Sequence, residues 1–475
     1  MYARTACCLR WGIMPKRSTT YRIPFAVPEL SYEDALAIAS DTGRLPGAAG
    51  AGDAGPLLET VVDMLDELSR PDEHYDCLQI AGTNGKTSTS RFTAAILRGE
   101  GLRTALYTSP QLVHYEERME VDGAPISPEL FSRGVSAAAE AGRRVNEARL
   151  SAGKPAYTIT PFDLLTVAAL TVYAEARVDV TVLEVGMGGR WDATSATDPV
   201  AVAITGIGLD HMRILGDTLA EIAGEKAAVI KSGRTVVLGE GTHEPSVQRV
   251  MDARCRECGV VPQVVTHTTL ELPSRLGEPV EFSTTTPRAI YTVKMPKPDY
   301  QPQNAACAIA LAEAYLGRAL DAGRLGSSLS ACPTPGRFDM LRTDPLLLID
   351  ACHNPQSCEN FVSSLDEIDS DVSARPTLLI AALADKDVRG IVRTLVPAFP
   401  RVIVTATASD RALPVAELAA LVEEELSCEG RPSSDVIATY PTVREALDFA
   451  SSEHLDIVAA GTITLAGEVA GLVGR

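Results

Sequence analysis

At 475 residues the chain is too long for one ordinary hydrophobic core, so two or three domains are expected. Its 45% hydrophobic and 22% charged content is that of a globular chain, and no apolar run is long enough to span a bilayer. A net charge of −19 argues against a broad nucleic-acid surface, yet permits a small basic pocket for an anionic substrate.

Residues 1–28 carry Arg4, Arg10, Lys16, Arg17 and Arg22 with no acidic residue. The stretch faintly resembles a transit peptide; it otherwise reads as a disordered leader, or as a start placed ahead of Met14. Helices are predicted on either side of a Gly/Ala/Pro loop at Gly43–Pro56: Asp34–Ala39 is helical in composition, and Leu57–Leu68 has apolar residues at helical spacing. Tyr75–Ile80 follows as a short strand, then a glycine-rich turn, then a helix from near Lys86 with Phe92, Ala95 and Ile96 on its apolar face. Leu164–Glu175 and Thr218–Ile230 are predicted helices; Val178–Leu183 and Val200–Ile204 are predicted strands. Strands alternating with helices mean a parallel sheet covered on both faces. A second series runs Leu346–Ile349, Thr377–Ile380, Val402–Val404 and Ile457–Ala459, with helices such as Leu413–Leu426 and Val443–Ala450 between them. The turn-forming stretch Ala331–Gly336 divides the two series. The expected fold is α/β: a P-loop-containing, mostly parallel sheet domain over 29–332, then a smaller Rossmann-like α/β domain over 333–475. Ten cysteines spread over this length are not the framework of a small secreted domain, and a reduced, cytoplasmic setting is expected. Cys255 and Cys258 have no second pair at zinc-ligand spacing.

The sharpest chemical signal is Gly82-Thr83-Asn84-Gly85-Lys86-Thr87-Ser88, between a strand and a helix. Phosphate needs backbone N–H groups that approach closely, which glycine allows, and the helix N-terminus adds partial positive charge. Lys86 would reach the terminal phosphates, although the spacing is shorter than in the usual P-loop, where the first glycine would stand at Ile80. The plain alternative is a glycine-containing strand–helix turn. Bound phosphates call for magnesium and oxygen ligands. Glu184 closes one apolar strand and Asp210-His211 is expected to close the next, so both would reach the carboxyl edge of the sheet; each alone reads equally as a surface residue or helix cap.

Further motifs occur in order: Thr108-Ser109-Pro110, Glu184 to Thr194, Gly208 to His211, Glu225-Lys226-Ala227, Pro335 to Phe338, Asp350 to Pro355 and Ala384 to Asp387. From about Leu30 to the C-terminus the chain resembles the folylpolyglutamate synthase and dihydrofolate synthase family, within the Mur ligase superfamily. The resemblance implies a ligase whose larger domain binds ATP and the pterin and whose smaller domain closes over it. It assigns a first magnesium to Ser109, Glu184 and His211, where the generic P-loop rule would use Thr87. It implies carbamylation of Lys226, making a ligand for a second magnesium; the residue by itself reads as an exposed helix lysine paired with an acid. Arg337 is implied to touch the phosphates or couple the domains, Asp350 to meet the ribose, His353 to lie near phosphate or glutamate, and Asn304 to face adenine. A helix cap for Asn304 and a surface ion pair for Arg337 are the ordinary alternatives. Gln111–Met119 resembles the pterin-covering loop, and Thr160-Pro161-Phe162-Asp163 the pterin wall, where Phe162 stacks on the ring or is simply a core aromatic. Asp192 is placed with this substrate group. Asp163 stands where the family has Glu, and Cys352 where it has Ala or Gly.

The implied reaction is ATP-dependent ligation of L-glutamate to dihydropteroate, to a reduced folate, or to both, through an acyl phosphate, with Lys86, His211 and Lys226 as the catalytic groups. ATP and two magnesium ions are the expected cofactors and a monomer the expected state. The rival readings are another amino-acid ligase of the superfamily, which has no room for an extra N-terminal substrate domain ahead of Gly82, and a P-loop switch protein, which would not need the motifs at Arg337 and Asp350–Asn354.

Overall fold

The computed structural model describes residues 20–41, 57–273, 276 and 278–474. Most of the expected leader and the whole Gly43–Pro56 loop lie outside these residues. The end of the leader, expected to be disordered, is packed: Tyr21 is buried with its hydroxyl on the Leu68 carbonyl, and Arg144 stacks over Phe25.

In chain order the first part contains α1 (Tyr32–Ser40), α2 (Leu58–Glu67), β1 (Asp76–Ala81), α3 (Lys86–Gly99), β2 (Thr104–Tyr107), β3 (Met119–Val121), β4 (Ala124–Pro125), α4 (Pro128–Ser151), α5 (Pro161–Ala176), β5 (Val180–Glu184), β6 (Ala201–Gly206), α6 (Met212–Leu215), α7 (Leu219–Ala227), β7 (Thr235–Gly241), α8 (Pro245–Cys258) and β8 (Gln263–Val264). Its sheet runs β4-β3-β2-β5-β1-β6-β7-β8. Strands β2 to β8 of that order are parallel, and β3 and β4 add an antiparallel edge. Every residue of β1, β2 and β5 is buried, as strands covered on both faces must be. One face packs Met64, Phe131 and Leu165 from α2, α4 and α5; the other packs Phe92 of α3.

An antiparallel sheet follows, of β9 (His267–Glu271), β10 (Val280–Thr285) and β11 (Ile290–Met295), which the sequence reading did not anticipate. Its strands bury alternate residues, Val280 and Phe282 on β10 and Tyr291 and Val293 on β11, against α9 (Gln301–Leu316). The small Ala305, Ala308 and Ala312 of α9 let it lie in the same core as α3. After α10 (Ala322–Ala331) come β12 (Asp339–Thr343), β13 (Leu346–Asp350), α11 (Pro355–Ile368), β14 (Thr377–Ile380), α12 (Val388–Leu395), β15 (Val402–Thr405), α13 (Val415–Cys428), β16 (Val436–Tyr440), α14 (Val443–Ser452), β17 (Ile457–Ala460) and α15 (Ile463–Leu472). This last sheet runs β12-β13-β17-β14-β15-β16, parallel except for β12. Phe361, Ile391 and Val422 cover one face; Val443, Leu465 and Val469 cover the other.

Two local expectations are corrected. Strand β6 ends at Gly206, so Asp210 and His211 lie on the loop beyond it, and His211 takes a left-handed backbone (φ 50°) at the start of α6. The helix expected over 218–230 stops at Ala227. The site is placed by topology: β1 has β5 on one side and β6 on the other, so the chain leaves its tip at a switch point of the sheet, where α/β folds bind ligands. Register sets Glu184 beside Ile80 and Ile204 beside Ala81.

Candidate active site

The turn after β1 is shaped by two close approaches. A side chain on Gly82 would collide with the Thr205 hydroxyl (2.0 Å), and one on Gly85, which has φ 82°, with the Asn304 carboxamide (2.2 Å). Only glycine fits, and the turn passes into α3 with Lys86 as its first residue. The Lys86 ammonium donates to the Thr83 carbonyl (3.0 Å). Burial lowers its pKa, against the opposing pull of Glu184 and Asp210.

Glu184 is 1% exposed. One carboxylate oxygen accepts from the Thr87 hydroxyl (2.8 Å) and the other from the Ser109 N–H (3.3 Å). Burial raises its pKa, while Lys86 pulls it back. A buried carboxylate flanked by two hydroxyl-bearing residues offers the oxygen donors that a hard cation takes, and so fits magnesium. Both hydroxyl-bearing metal candidates of the sequence reading, Ser109 and Thr87, therefore stand beside Glu184. His211 is partly exposed and lines the same cavity, its ring 3.7 Å from the Asp210 carboxylate. Its pKa is lowered by burial and by the nearby Lys386, Lys86 and Lys226, against Asp210.

The cavity has a volume of about 320 Å³. Its wall joins Thr83–Ser88, Ser109, Glu184 and His211 to Asn304 and, from the last sheet's side, Arg337, Asp350 and His353. Asp350, at the tip of β13, accepts from the Tyr300 hydroxyl and the Phe338 and Cys352 N–H groups. His353 bonds the Ala351 carbonyl through Nδ1, and burial and Arg337 push it down to about 4. Asn304 is not a cap: it sits inside the first turn of α9, with its amide N–H₂ on the Tyr300 carbonyl and the Gln301 side chain.

Lys226 is buried, not exposed, and donates to the Gly82 carbonyl (2.8 Å). Burial, then the charge of Lys86, push it down to about 7. Thr160, Phe162, Asp163 and Asp192 are not part of the cavity wall. Thr160 and Asp163 form a reciprocal capping box at the start of α5. Phe162 packs near Tyr107 (5.9 Å between rings) and against Gly186. The Asp192 carboxylate accepts from the N–H groups of Gly186, Met187 and Thr194, holding the glycine-rich loop after β5. Sequence reasoning missed Gln356, whose carboxamide oxygen accepts from Asn84 (3.0 Å) across 272 residues of chain. It follows the His353-Asn354-Pro355 motif directly, and that adjacency was the available signal.

The chain is similar to known proteins along most of its length. The Mur ligase middle domain family matches residues 80–243, and the Mur ligase glutamate ligase domain family matches residues 336–462. The dihydrofolate synthase/folylpolyglutamate synthase of Mycobacterium tuberculosis is 33% identical over 453 residues, covering 88% of this chain and 90% of the relative. That of Bacillus subtilis is 29% identical over 347 residues, covering 72% of this chain and 78% of the relative. The crystal structure of Mycobacterium tuberculosis folylpolyglutamate synthase with ADP and AMPPCP superimposes with a TM-score of 0.80 at 32% identity, over 88% of this chain and 96% of that one. With a strand, glycine-rich turn and helix facing a second α/β sheet, and with relatives matched over nearly their whole length, the chain belongs to the folylpolyglutamate synthase/dihydrofolate synthase family of Mur ligases.

Proposed function

We propose that the chain uses ATP to join L-glutamate to the carboxylate of dihydropteroate, of a reduced folate, or of both. The observation that carries this is the single cavity joining Lys86 and Glu184 of the first sheet to Arg337, Asp350 and His353 beside the last. A carboxylate has no good leaving group, so direct attack by an amine fails. Attack of a carboxylate oxygen on the γ-phosphorus, with cleavage of the bond to the bridging oxygen of ADP, makes an acyl phosphate. The glutamate nitrogen then attacks the acyl carbon, phosphate leaves and the amine proton passes to solvent. Bringing these anions together requires fixed positive charge and orientation more than covalent catalysis. Lys86 and the N–H groups of the turn supply both to the terminal phosphates, and Arg337 meets them from the opposite wall. Ser109, Glu184 and His211, with Thr87 adjoining, are the residues that would hold magnesium, which neutralises phosphate charge when bound. Carbamylation of Lys226 belongs to this reading, supported by its burial against the turn at Gly82; the amine would give up that carbonyl to carry a carbamate. Residues 29–332 and 333–475 act as the two halves that close over the reactants and exclude water. Thr160, Phe162, Asp163 and Asp192 serve the pterin side by shaping the α5 start and the loop after β5. A reduced, cytoplasmic setting fits ten cysteines spread over the length of the chain, and a monomer is the expected state. No described helix is long and apolar enough to cross a membrane.

The test is ADP release and incorporation of labelled glutamate, each with dihydropteroate or a reduced folate as acceptor. Both products should depend on acceptor and glutamate together, and Lys86→Ala should lose roughly 10²–10³ in rate while keeping its thermal midpoint. ADP release indifferent to acceptor and glutamate would instead describe a nucleotide switch.

A further inference from the structure

Loop 110–117, between Ser109 and β3, is organised by one side chain. The Glu117 carboxylate accepts from the N–H groups of Leu112, Val113 and His114. The base of the loop is closed by the Thr108 N–H on the Arg118 carbonyl (3.0 Å) and by Arg118 on Gln111 (2.6 Å). The loop is thus tied internally by its own hydrogen bonds. Its apolar tip does not rest on its own sheet: Leu112 and Val113 pack against the core of the last sheet, formed there by Leu465, Ala466 and Val469 of α15. The seat is shaped to the backbone. A side chain on Gly467 of α15 would stand 2.1 Å from the Leu112 carbonyl oxygen, whereas one on Gly471, a turn further, would make an ordinary 3.5 Å contact with Val113. At its other end the loop continues directly into Ser109, whose N–H is bonded to Glu184.

We infer that this loop is a rigid link through which the last sheet sets the position of Ser109 and Glu184, and that Leu112, Glu117 and Gly467 are positioning residues for the ATP site. The segment resembling a pterin cover is, by its contacts, an anchor between the two halves of the molecule. When the halves part, Leu112 leaves α15 and the bond from Ser109 to Glu184 loses its support. Phosphoryl transfer is thereby tied to closure by a covalent connection three residues long. The inference rests on the placement of the ATP site proposed above.

Two alanine variants on one helix face test it. Both replace a glycine of α15 with a better helix former. Gly467→Ala must displace the Leu112 carbonyl; Gly471→Ala need not. Gly467→Ala should lower kcat roughly a hundredfold, the scale of about 1 Å of misplacement. It should also speed amide hydrogen exchange in the peptide covering 104–117, with exchange in β14 and β17 unchanged. Gly471→Ala should match the parent in both measurements. Leu112→Ala, which removes the anchor without touching α15, should raise exchange over the same peptide and serves if Gly467→Ala does not fold. Parental exchange over 104–117 in both Gly467→Ala and Leu112→Ala, or equal damage from Gly471→Ala, overturns the link. A parent chain that ligates no glutamate counts against the functional reading instead, because exchange reports the link without turnover.

Discussion

At the residue scale the site is built from side chains whose burial works against their charge. Lys86 and Glu184 are each penalised by burial and each relieved by the other. The glycine-rich turn and Glu184 were legible because backbone approach and strand-end carboxylates leave residue-type signatures. Gln356 was not, because a carboxamide at a helix start has many ordinary uses. Its bond to Asn84 joins the two sheets at the glycine-rich turn, and its oxygen lies where Gly208 leaves room for it. Gln356→Ala should remove one hydrogen bond worth about 1 kcal/mol net, or roughly fivefold in kcat/KM for ATP. Steady-state kinetics at varied ATP checks this; an unchanged kcat/KM would assign the contact to packing alone.

At the element scale, apolar strands and helical periodicity were read from the sequence where elements are long and buried. The errors fall at ends and edges. Asp210-His211 looked like a strand end because the apolar run continues past Gly206, yet pairing with β7 runs out there. The antiparallel β9–β11 unit escaped notice because β10 and β11 bury only alternate residues, with Thr, Glu and Lys between them, and β9 buries none. Thr160 and Asp163 show a motif whose local work is plain in the structure: they cap α5, which lies under β2 and β5 in the first core. Thr160→Ala should lower stability by about 1 kcal/mol, visible in chemical denaturation as a shifted midpoint at unchanged m-value. A shift in acceptor KM without loss of stability would show that Thr160 contacts the substrate directly.

At the scale of the whole molecule, the approach of α11 to the segment before α9 brings carboxyl groups together. The Ser364 hydroxyl donates to Asp299, and a hydrogen bond with Asp299, then burial, push Glu367 up to about 7 from 4.5. Between those values the fold holds a proton that the unfolded chain releases. This stabilisation is full below 4.5 and is lost as pH rises through 7. Glu367 faces solvent, so the effect is read as a slope: the thermal midpoint should fall more steeply from about pH 5 to 7.5 in the parent than in Glu367→Gln. Equal slopes would remove the carboxyl pair from the account.

The sequence by itself determined the reaction class and the place of the glycine-rich turn between β1 and α3, because close backbone approach demands glycine at fixed local spacings. It also determined two series of buried strands, because hydrophobic period follows from secondary structure. Only the tertiary structure decided that Leu112 and Val113 seat on α15, that Lys226 is buried against Gly82, and that Gln356 meets Asn84. These contacts join residues far apart in the chain and depend on how two sheets face each other, and the local spacing of residues carries no trace of that relation.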